Sequence, residues 1–180
     1  GNNLTNHSVP TLVSSNQDII MSFINKYKQV VVKPLNLMGG QDIIKLSYRD
    51  KSLSRKITNI TQDAEKFIMV QKYLNQVKNG DTRILIINGI VHEDVLVRYP
   101  PKNDFRANLS YGGKFEVKKI KYKHLSHLKD IGVFLKNNRI YFAGVDMIGD
   151  YITEINITSP TGIQQIETKD KYLSSKISKE

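Results

Sequence analysis

Two β-hairpin patterns constrain this chain most, because each one fixes a pair of antiparallel strands around a known turn. Asn88-Gly89, a pair that favours tight hairpin turns, lies between the first two strand patterns. Gly149-Asp150 lies in the same way between the second two. The four strand patterns cover residues 83–87 with 90–99 and residues 140–148 with 151–157. The fold must therefore contain antiparallel sheet.

Helical patterns and further strand patterns surround these hairpins. Ile20, Phe23 and Ile24 have helical spacing, and Asp18 precedes them as the expected N-cap of a helix over residues 19–28. The other predicted elements are strands at residues 29–33, 43–48 and 67–73 and helices within residues 50–63 and at residues 125–136. Polar stretches, which we expect to be irregular, cover residues 1–16, 102–119 and 168–180. This mixture of hairpins and helices is typical of an α+β fold.

Cysteine is absent from the 180 residues, which excludes a disulfide framework, a thiolate zinc site, an iron–sulfur cluster and a cysteine nucleophile. No apolar run approaches the ~20 residues of a membrane-spanning helix, so no membrane partner is expected. The first residues lack the basic and apolar regions of a secretory signal, so the expected location is cytoplasmic. The chain also lacks an initiator Met, and we expect it to be processed, tagged or cut from something longer.

The net charge of +10, from 27 Lys+Arg and 17 Asp+Glu, raises the question of an anionic partner. The densest basic run, residues 114–129, interleaves Lys with Phe, Tyr and His. However, the chain has 21 Lys and only 6 Arg, and nucleic-acid-binding proteins more often use Arg, whose planar fork suits bases and phosphates. A Lys-rich solvated surface is therefore favoured over an anionic small ligand, and nucleic acid is the least favoured partner.

Oxygen ligands for a metal are concentrated in the final hairpin. Glu154 and Asn156 are two residues apart on one predicted strand, so they share a face. An acid and an amide among apolar neighbours cost free energy unless they are paired or metal-bound, and oxygen ligands suit Mg²⁺. With a two-residue turn, Asp146 would lie opposite Thr153, on the wrong face. A metal site formed by Asp146, Glu154 and Asn156 therefore predicts a three-residue turn or a bulge; the alternative is a solvated edge face.

Basic and hydroxyl side chains offer further candidates. Lys33 ends an apolar strand before a Pro and a Gly-Gly loop, which can place an ammonium group and backbone N–H groups around phosphate. Arg83, Arg98 and Arg106 are half of the arginines, and Arg is the usual partner of carboxylates and phosphates. Hydroxyls in residues 159–161 could bind a substrate carboxylate. Surface ion pairs and ordinary turns remain open as alternatives for these positions.

Five co-linear stretches carry a resemblance to a known family. They lie at residues 32–40, 69–74, 78–85, 106–113 and 144–161. The last one contains the long and specific pattern Gly-Asp-x-x-Thr-Glu-Ile-Asn-x-Thr-Ser-Pro-Thr. Taken in order, these segments resemble the ATP-grasp domain of bacterial glutathione synthetases, over residues 9–167.

The resemblance implies an ATP-grasp fold, with two lobes of mainly antiparallel sheet, flanking helices and ATP between the lobes. It implies a lead-in at residues 1–16, a small lobe at residues 17–74, a large lobe at residues 75–167 and a polar tail at residues 168–180. It also implies ATP-dependent ligation of γ-glutamylcysteine to glycine through an acylphosphate. The implied metal cofactor is Mg²⁺, with Mn²⁺ as an alternative.

The same resemblance implies four sets of site positions. The nucleotide-binding positions are Lys33, Met38, Gly39, Gly40, Gln71, Lys72, Tyr73, Leu74, Asp81 and Asn156. The metal ligands are Asp146, Glu154 and Asn156. The catalytic positions are Arg83 and Arg106. The substrate positions are Arg83, Arg106, Asn108, Gly112, Gly113, Ser159 and Thr161. Residues 107–118 match a lid that shields the acylphosphate from water.

The chain departs from the family pattern in two loops and in length. Asn36-Leu37 stands where the family usually has Asp-Gly, and Lys114-Phe115 stands where it has Arg-Gly. The N-terminal domain of the family is missing, so a separate N-terminal domain or further copies of the chain are expected partners beside the two substrates. The alternatives are a truncated or split ATP-binding fragment without turnover of its own, another ATP-grasp ligase, and a basic nucleic-acid-binding module.

Overall fold

The structure is a computed structural model that describes residues 7–35, 42–108 and 112–168, without the side chain of Tyr122. The chain forms two compact units. The small unit is Val9–Asn75, and the large unit is Gln76–Glu180 together with Gly1–Ser8. In the described residues, no helix is both long and apolar enough to cross a membrane.

The small unit is a four-stranded antiparallel sheet with two helices. Its elements are β1 (Thr11–Ser14), α1 (Gln17–Tyr27), β2 (Gln29–Pro34), β3 (Ile44–Ser47), α2 (Leu53–Thr61) and β4 (Ile68–Lys72). The strand order is β1-β4-β2-β3. Val30 and Val32 of β2 belong to the core together with Ile20 of α1 and Ile57 of α2, so both helices cover one face of the sheet. We call the opposite face the helix-free face.

Two expectations for this unit are wrong. Strand β1 lies within residues 1–16, which we expected to be irregular. This segment is polar, but its backbone pairs with β4, and that pairing makes it a strand. The small unit consequently begins before the lobe expected from the sequence. The N-cap of α1 is Asn16, whose Oδ1 accepts a hydrogen bond from Ile19 N at 3.1 Å. Asp18 lies instead in the first turn, where its charge favours the helix dipole.

The large unit is a six-stranded antiparallel sheet. Its strands are β5 (Asp81–Ile87), β6 (Ile90–Val91), β7 (Asp94–Tyr99), β8 (Lys114–Lys119), β9 (Phe142–Ile148) and β10 (Tyr151–Asn156). Its α-helices are α3 (Leu125–Asn137) and the short α4 (Ile163–Ile166), and the sequence did not predict α4. The strand order is β10-β9-β5-β7-β8, with β6 paired to β5.

The two faces of the large sheet have different coverings. On one face, Ile84 and Val145 pack with Leu128 of α3. On the other, Leu85 and Leu96 pack with Ile166 of α4. We call this second face the α4 face. Because α4 is only a single turn long, much of this face is left for polar side chains.

Both predicted hairpins are confirmed, with one interruption. Asn88 and Gly89 have φ angles of 48° and 79°, as a tight hairpin turn requires. The predicted strand over residues 90–99 is divided into β6 and β7 at His92, whose N–H donates to Leu85 O at 2.9 Å. The predicted polar loop at residues 102–119 is also wrong in its last part, because β8 pairs with β7 there. The expected lid at residues 107–118 therefore ends in an edge strand.

Candidate functional site

A β-bulge in β10 aligns the acidic residues of the final hairpin. Ile152 pairs with Met147, but the next pair is Glu154 with Asp146, so Thr153 is the extra residue. Thr153 Oγ1 donates to Asp146 O at 3.2 Å. The turn at residues 149–150 keeps two residues. The predicted bulge is confirmed, and it places Asp146 and Glu154 on the same face.

Four charged side chains on the α4 face form one ion-pair network, which we call the charge cluster: Asp81, Arg83, Arg98 and Asp146. Arg83 binds Asp146 with two hydrogen bonds, from Nε to Oδ1 at 2.5 Å and from Nη2 to Oδ2 at 2.8 Å. Arg98 Nη2 lies 2.9 Å from Asp146 Oδ1 and 2.8 Å from Asp81 Oδ2. Arg98 thus links the two acids.

The charge cluster is buried, and its formal charges cancel. Side-chain exposure is 7% for Arg83 and Asp146, 8% for Arg98 and 15% for Asp81. Burial raises the pKa of Asp81 to about 6, and the negative charge of Asp146 acts in the same direction. Burial alone would also raise the pKa of Asp146, but hydrogen bonds from Arg83 and the charge of Arg98 outweigh it and lower that pKa. Asp81 is therefore the acid of the cluster that titrates closest to neutral pH.

Strand register and one glycine explain how the chain builds this cluster. Asp81 lies directly opposite Arg98, and Arg83 lies directly opposite Asp146 on the next strand. Opposite charges at such positions are favourable. A Cβ on Gly144 would lie 2.9 Å from Arg83 Cδ. Gly144 therefore leaves the space that the Arg83 side chain occupies.

Glu154 and Asn156 border the cluster. The Asn156 amide is best satisfied when its Nδ2 donates to Glu154 Oε1 at 2.8 Å and its Oδ1 accepts from Arg83 Nη2 at 3.2 Å. Glu154 is exposed. The two arginines occupy three of the roughly four acceptor positions of the Asp146 carboxylate, so one position on Oδ2 remains.

The residues present fit a hard divalent cation that is shared with a ligand. Among the residues that the structure describes, no three His, Cys, Asp or Glu side chains converge on one point. A metal here would therefore depend on Asp146, Glu154 and the Asn156 amide, and on oxygen atoms of a bound ligand. One or two carboxylates plus substrate phosphates is the usual ligand set of Mg²⁺. Asp81 Oδ1 and Arg98 Nε, which are buried without a hydrogen-bond partner in the described residues, also fit a site completed by a ligand.

The predicted substrate positions are only partly brought together. Arg83 Nη1 donates to Thr161 O at 3.0 Å, so Thr161 joins the charge cluster. Arg106 instead forms an ion pair with Asp104 at 2.7 Å, as the surface-pairing alternative expected. A Cβ on Gly113 would lie 3.0 Å from Ala107 O and 3.3 Å from Asn108 O, so Gly113 packs against that backbone. Among the described residues, no atom beyond the chain neighbours would lie within 4 Å of a Cβ on Gly112, and Ser159 is exposed.

The predicted nucleotide positions of the small unit that the structure describes lie on β2, on β4 and in the two residues that follow β4. Lys33 is opposite Met69, on the helix-free face. Gln71 is buried, and its Nε2 donates to Thr11 Oγ1 at 3.0 Å. The backbone N–H groups of Lys72 and Tyr73 donate to Pro10 O and Gln29 O, both at 3.0 Å. These two N–H groups therefore already form hydrogen bonds within the small unit. Leu74 is buried. Met38, Gly39 and Gly40 lie outside the described residues.

The sequence shows three clustered arginines, but neither their spacing nor the resemblance gives Arg98 a role in the site. One signal was available, since Arg98 lies within an apolar strand pattern, where a charged side chain is costly unless it is paired. Its partner Asp81 begins β5, the strand that pairs with β7. Gly144 was also missed as a site residue, because its role depends on the position of Arg83 on a neighbouring strand.

Comparison with known proteins identifies the family. The model of the prokaryotic glutathione synthetase ATP-grasp domain matches residues 2–171. The chain belongs to this family. Among relatives of this ATP-grasp domain, the glutathione synthetases of Coxiella burnetii and Buchnera aphidicola are 38% and 41% identical over 91% and 87% of the chain. The alignments cover 51% and 48% of those proteins, so the chain spans about half the length of the curated relatives it matches.

Solved structures confirm the ATP-grasp fold. The D-cycloserine synthetase DcsG aligns with a TM-score of 0.70 at 11% identity, over 98% of this chain and 67% of that one. The D-alanine–D-alanine ligase of Bacillus anthracis aligns with a TM-score of 0.65 at 15% identity, over 96% and 61%. At such low identity the likeness establishes the fold alone, which is the expected α+β fold with two mainly antiparallel sheets.

Proposed function

We propose that this ATP-grasp domain is the ATP-binding part of a glutathione synthetase, which uses ATP and a divalent cation to join a carboxylate to an amine. The proposed substrates are γ-glutamylcysteine and glycine, and the proposed products are glutathione, ADP and phosphate. The bulge in β10 carries the proposal, because it aligns Asp146 and Glu154 of the family motif beside two buried arginines.

The divalent cation would be held by Asp146, Glu154 and Asn156, and we propose Mg²⁺, with Mn²⁺ as an alternative. A bound cation of this kind neutralises and polarises phosphate oxygens. Asp146 keeps one acceptor position on Oδ2, and Glu154 offers an exposed carboxylate. Rotation of the Asn156 amide would turn its oxygen away from Arg83 and towards the proposed cation. All three side chains can thus present oxygen atoms without a change in the backbone.

The arginines of the charge cluster would supply fixed positive charge. Phosphoryl transfer needs positioning and charge neutralisation more than covalent chemistry from the protein. Arg83 and Arg98 are both held by Asp146, so they need little reorganisation when negative charge develops nearby. Arg83 also connects the cluster to Thr161. We propose that Lys33 binds a phosphate and that Asp81 Oδ1, which is unpartnered among the described residues, accepts a ribose hydroxyl.

The remaining predicted positions keep their proposed roles. We propose Met38, Gly39 and Gly40 as the loop over the phosphates, and residues 71–74 as the segment that contacts adenine. We propose that the peptide substrate and the acylphosphate contact Arg106, Asn108, Gly112, Gly113, Ser159 and Thr161.

A second candidate function is ATP binding without turnover by this chain alone. One observation favours it: the chain spans about half the length of the relatives it matches. Ligation would then require the remaining half of the enzyme. The two candidates share the nucleotide site and differ only in turnover.

Thermal unfolding and phosphate release together test both candidates. MgATP at 100 times its Kd should stabilise the fold by about 2.7 kcal/mol, whereas ATP with a chelator should stabilise it less and DNA should not stabilise it. Phosphate release that requires both γ-glutamylcysteine and glycine would support the ligase, and stabilisation without such release would support the second candidate. Stabilisation by DNA but not by MgATP would refute both.

A further inference from the structure

Two lysines share the helix-free face of the small sheet. Lys45 of β3 lies directly opposite Val31 of β2, and Lys33 lies two residues further along β2. Because residues two apart on a strand point to the same face, Lys33 and Lys45 are diagonal neighbours. Such neighbours are about 7–8 Å apart, which long side chains can bridge. Two lysine side chains therefore leave this face of the sheet at neighbouring positions.

The side chain of Lys45 is not directed at Lys33. Its Nζ lies 3.5 Å from the centroid of the Tyr73 ring. Tyr73 directly follows β4, and β2 lies between β3 and β4. Lys45 must therefore reach across β2, over two strand spacings of about 10 Å in total. Its ammonium group ends over the ring of a residue in the segment 71–74.

This arrangement has an electrostatic reason. Like charges at neighbouring sheet positions are destabilising, whereas an ammonium group over an aromatic face is attracted by the ring. Contact with Tyr73 thus keeps the Lys45 charge away from Lys33. A polyphosphate would change this balance, because it supplies the negative charge that both lysines can share. The flexible four-carbon stem of Lys allows that movement without a change in the backbone.

We propose that Lys45 is a second phosphate-binding residue for the nucleotide, beside Lys33, and that the Tyr73 ring is the alternative partner of its ammonium group. The inference rests on the proposed function, since it assigns a role in ATP binding. It adds a residue that the family motifs quoted above do not include, and it follows from register, face and the contact with Tyr73.

Lys45→Met tests the proposal, because it keeps an apolar stem and removes only the charge. We expect the Kd of MgATP to rise about tenfold, which corresponds to about 1.4 kcal/mol, while the Kd of adenosine stays unchanged. Lys45→Arg should restore most of the affinity for MgATP. The matched control is Lys51→Met, at an exposed lysine in the turn before α2, which should leave both Kd values unchanged.

Two results would overturn the role of Lys45. Equal weakening of MgATP and adenosine would show that Lys45 supports the base-binding segment rather than a phosphate. Unchanged MgATP binding in Lys45→Met would show that its charge is not used. Failure of the wild-type chain to bind either ligand would instead refute the proposed function, and this proposal with it.

Discussion

Asp146→Asn should destabilise the chain strongly, even without any ligand. The substitution keeps the shape of the side chain but removes the negative charge that both buried arginines share. Arg83 Nη2 donates to Asp146 Oδ2 at 2.8 Å. If the amide nitrogen of the new Asn takes the place of Oδ2, two hydrogen-bond donors would face each other at that position. Removing one partner of a buried ion pair costs about 3–5 kcal/mol. We expect the lower value, because Arg98 keeps its contact with Asp81.

Thermal and urea-induced unfolding measure this effect. For a chain of this size, a loss of about 3 kcal/mol lowers Tm by roughly 6–12 °C. Asp150→Asn is the matched control, because Asp150 is 65% exposed and pairs with Lys123 at the surface. A surface pair contributes only about 0–1 kcal/mol. Equal destabilisation by the two substitutions, or a loss below about 1 kcal/mol for Asp146→Asn, would refute the view that the charge cluster is a tightly coupled buried network.

Three further predictions use the same unfolding measurements. The folded pKa of Asp81 is about 6, above its ordinary value, so protonated Asp81 contributes to the free energy of unfolding. This contribution is complete below about pH 4 and is lost as the pH rises through about 6. Asp81→Asn should remove the loss, and identical pH profiles of the two proteins would contradict the raised pKa of Asp81. Gly144→Ala should cost about 1–3 kcal/mol, because the new methyl group would lie 2.9 Å from Arg83 Cδ, and a neutral result would mean that Arg83 can move aside freely. Asn16→Ala should cost about 1 kcal/mol through loss of the α1 cap; an equal or larger loss in Asp18→Ala would favour the cap expected from the sequence.

The bulge could be predicted from the sequence because chemistry and geometry conflicted there. A metal site requires Asp146 and Glu154 to share a face, but a regular ladder after a two-residue turn would place them on opposite faces. A local irregularity was the way to satisfy both, and Thr153 provides it. The hairpin turns were predictable for a similar reason, since their residue types have few alternative conformations.

Strand β8 could not be predicted, because it is an edge strand whose side chains are nearly all exposed. Only Val117 is buried, so the hydrophobic alternation that marks most strands is absent. Lysines along an edge strand are a common protection against unwanted pairing, and here they make the stretch resemble a loop. Its structure comes from pairing with β7, which is information that a local pattern does not contain.

The full charge cluster was also beyond local reasoning. Arg83 and Asp146 lie 63 residues apart, and only the sheet order brings β5 and β9 together. The Asn88-Gly89 turn predicts the hairpin that contains Arg98, but not that one guanidinium group contacts two acids. The family motif therefore allows site positions to be proposed from the sequence, whereas positions defined by partners across the sheet need the structure.

Calorimetric titration of the chain with ATP, in the presence and absence of Mg²⁺, tests the central claim most directly. We expect saturable binding of one nucleotide per chain that depends on the divalent cation and becomes at least about tenfold weaker in Glu154→Gln, a difference of about 1.4 kcal/mol. Glu154 is exposed, so this substitution should leave the fold intact. Binding that is unaffected by both Mg²⁺ and Glu154→Gln, or no binding by a folded chain, would contradict the assignment of this site.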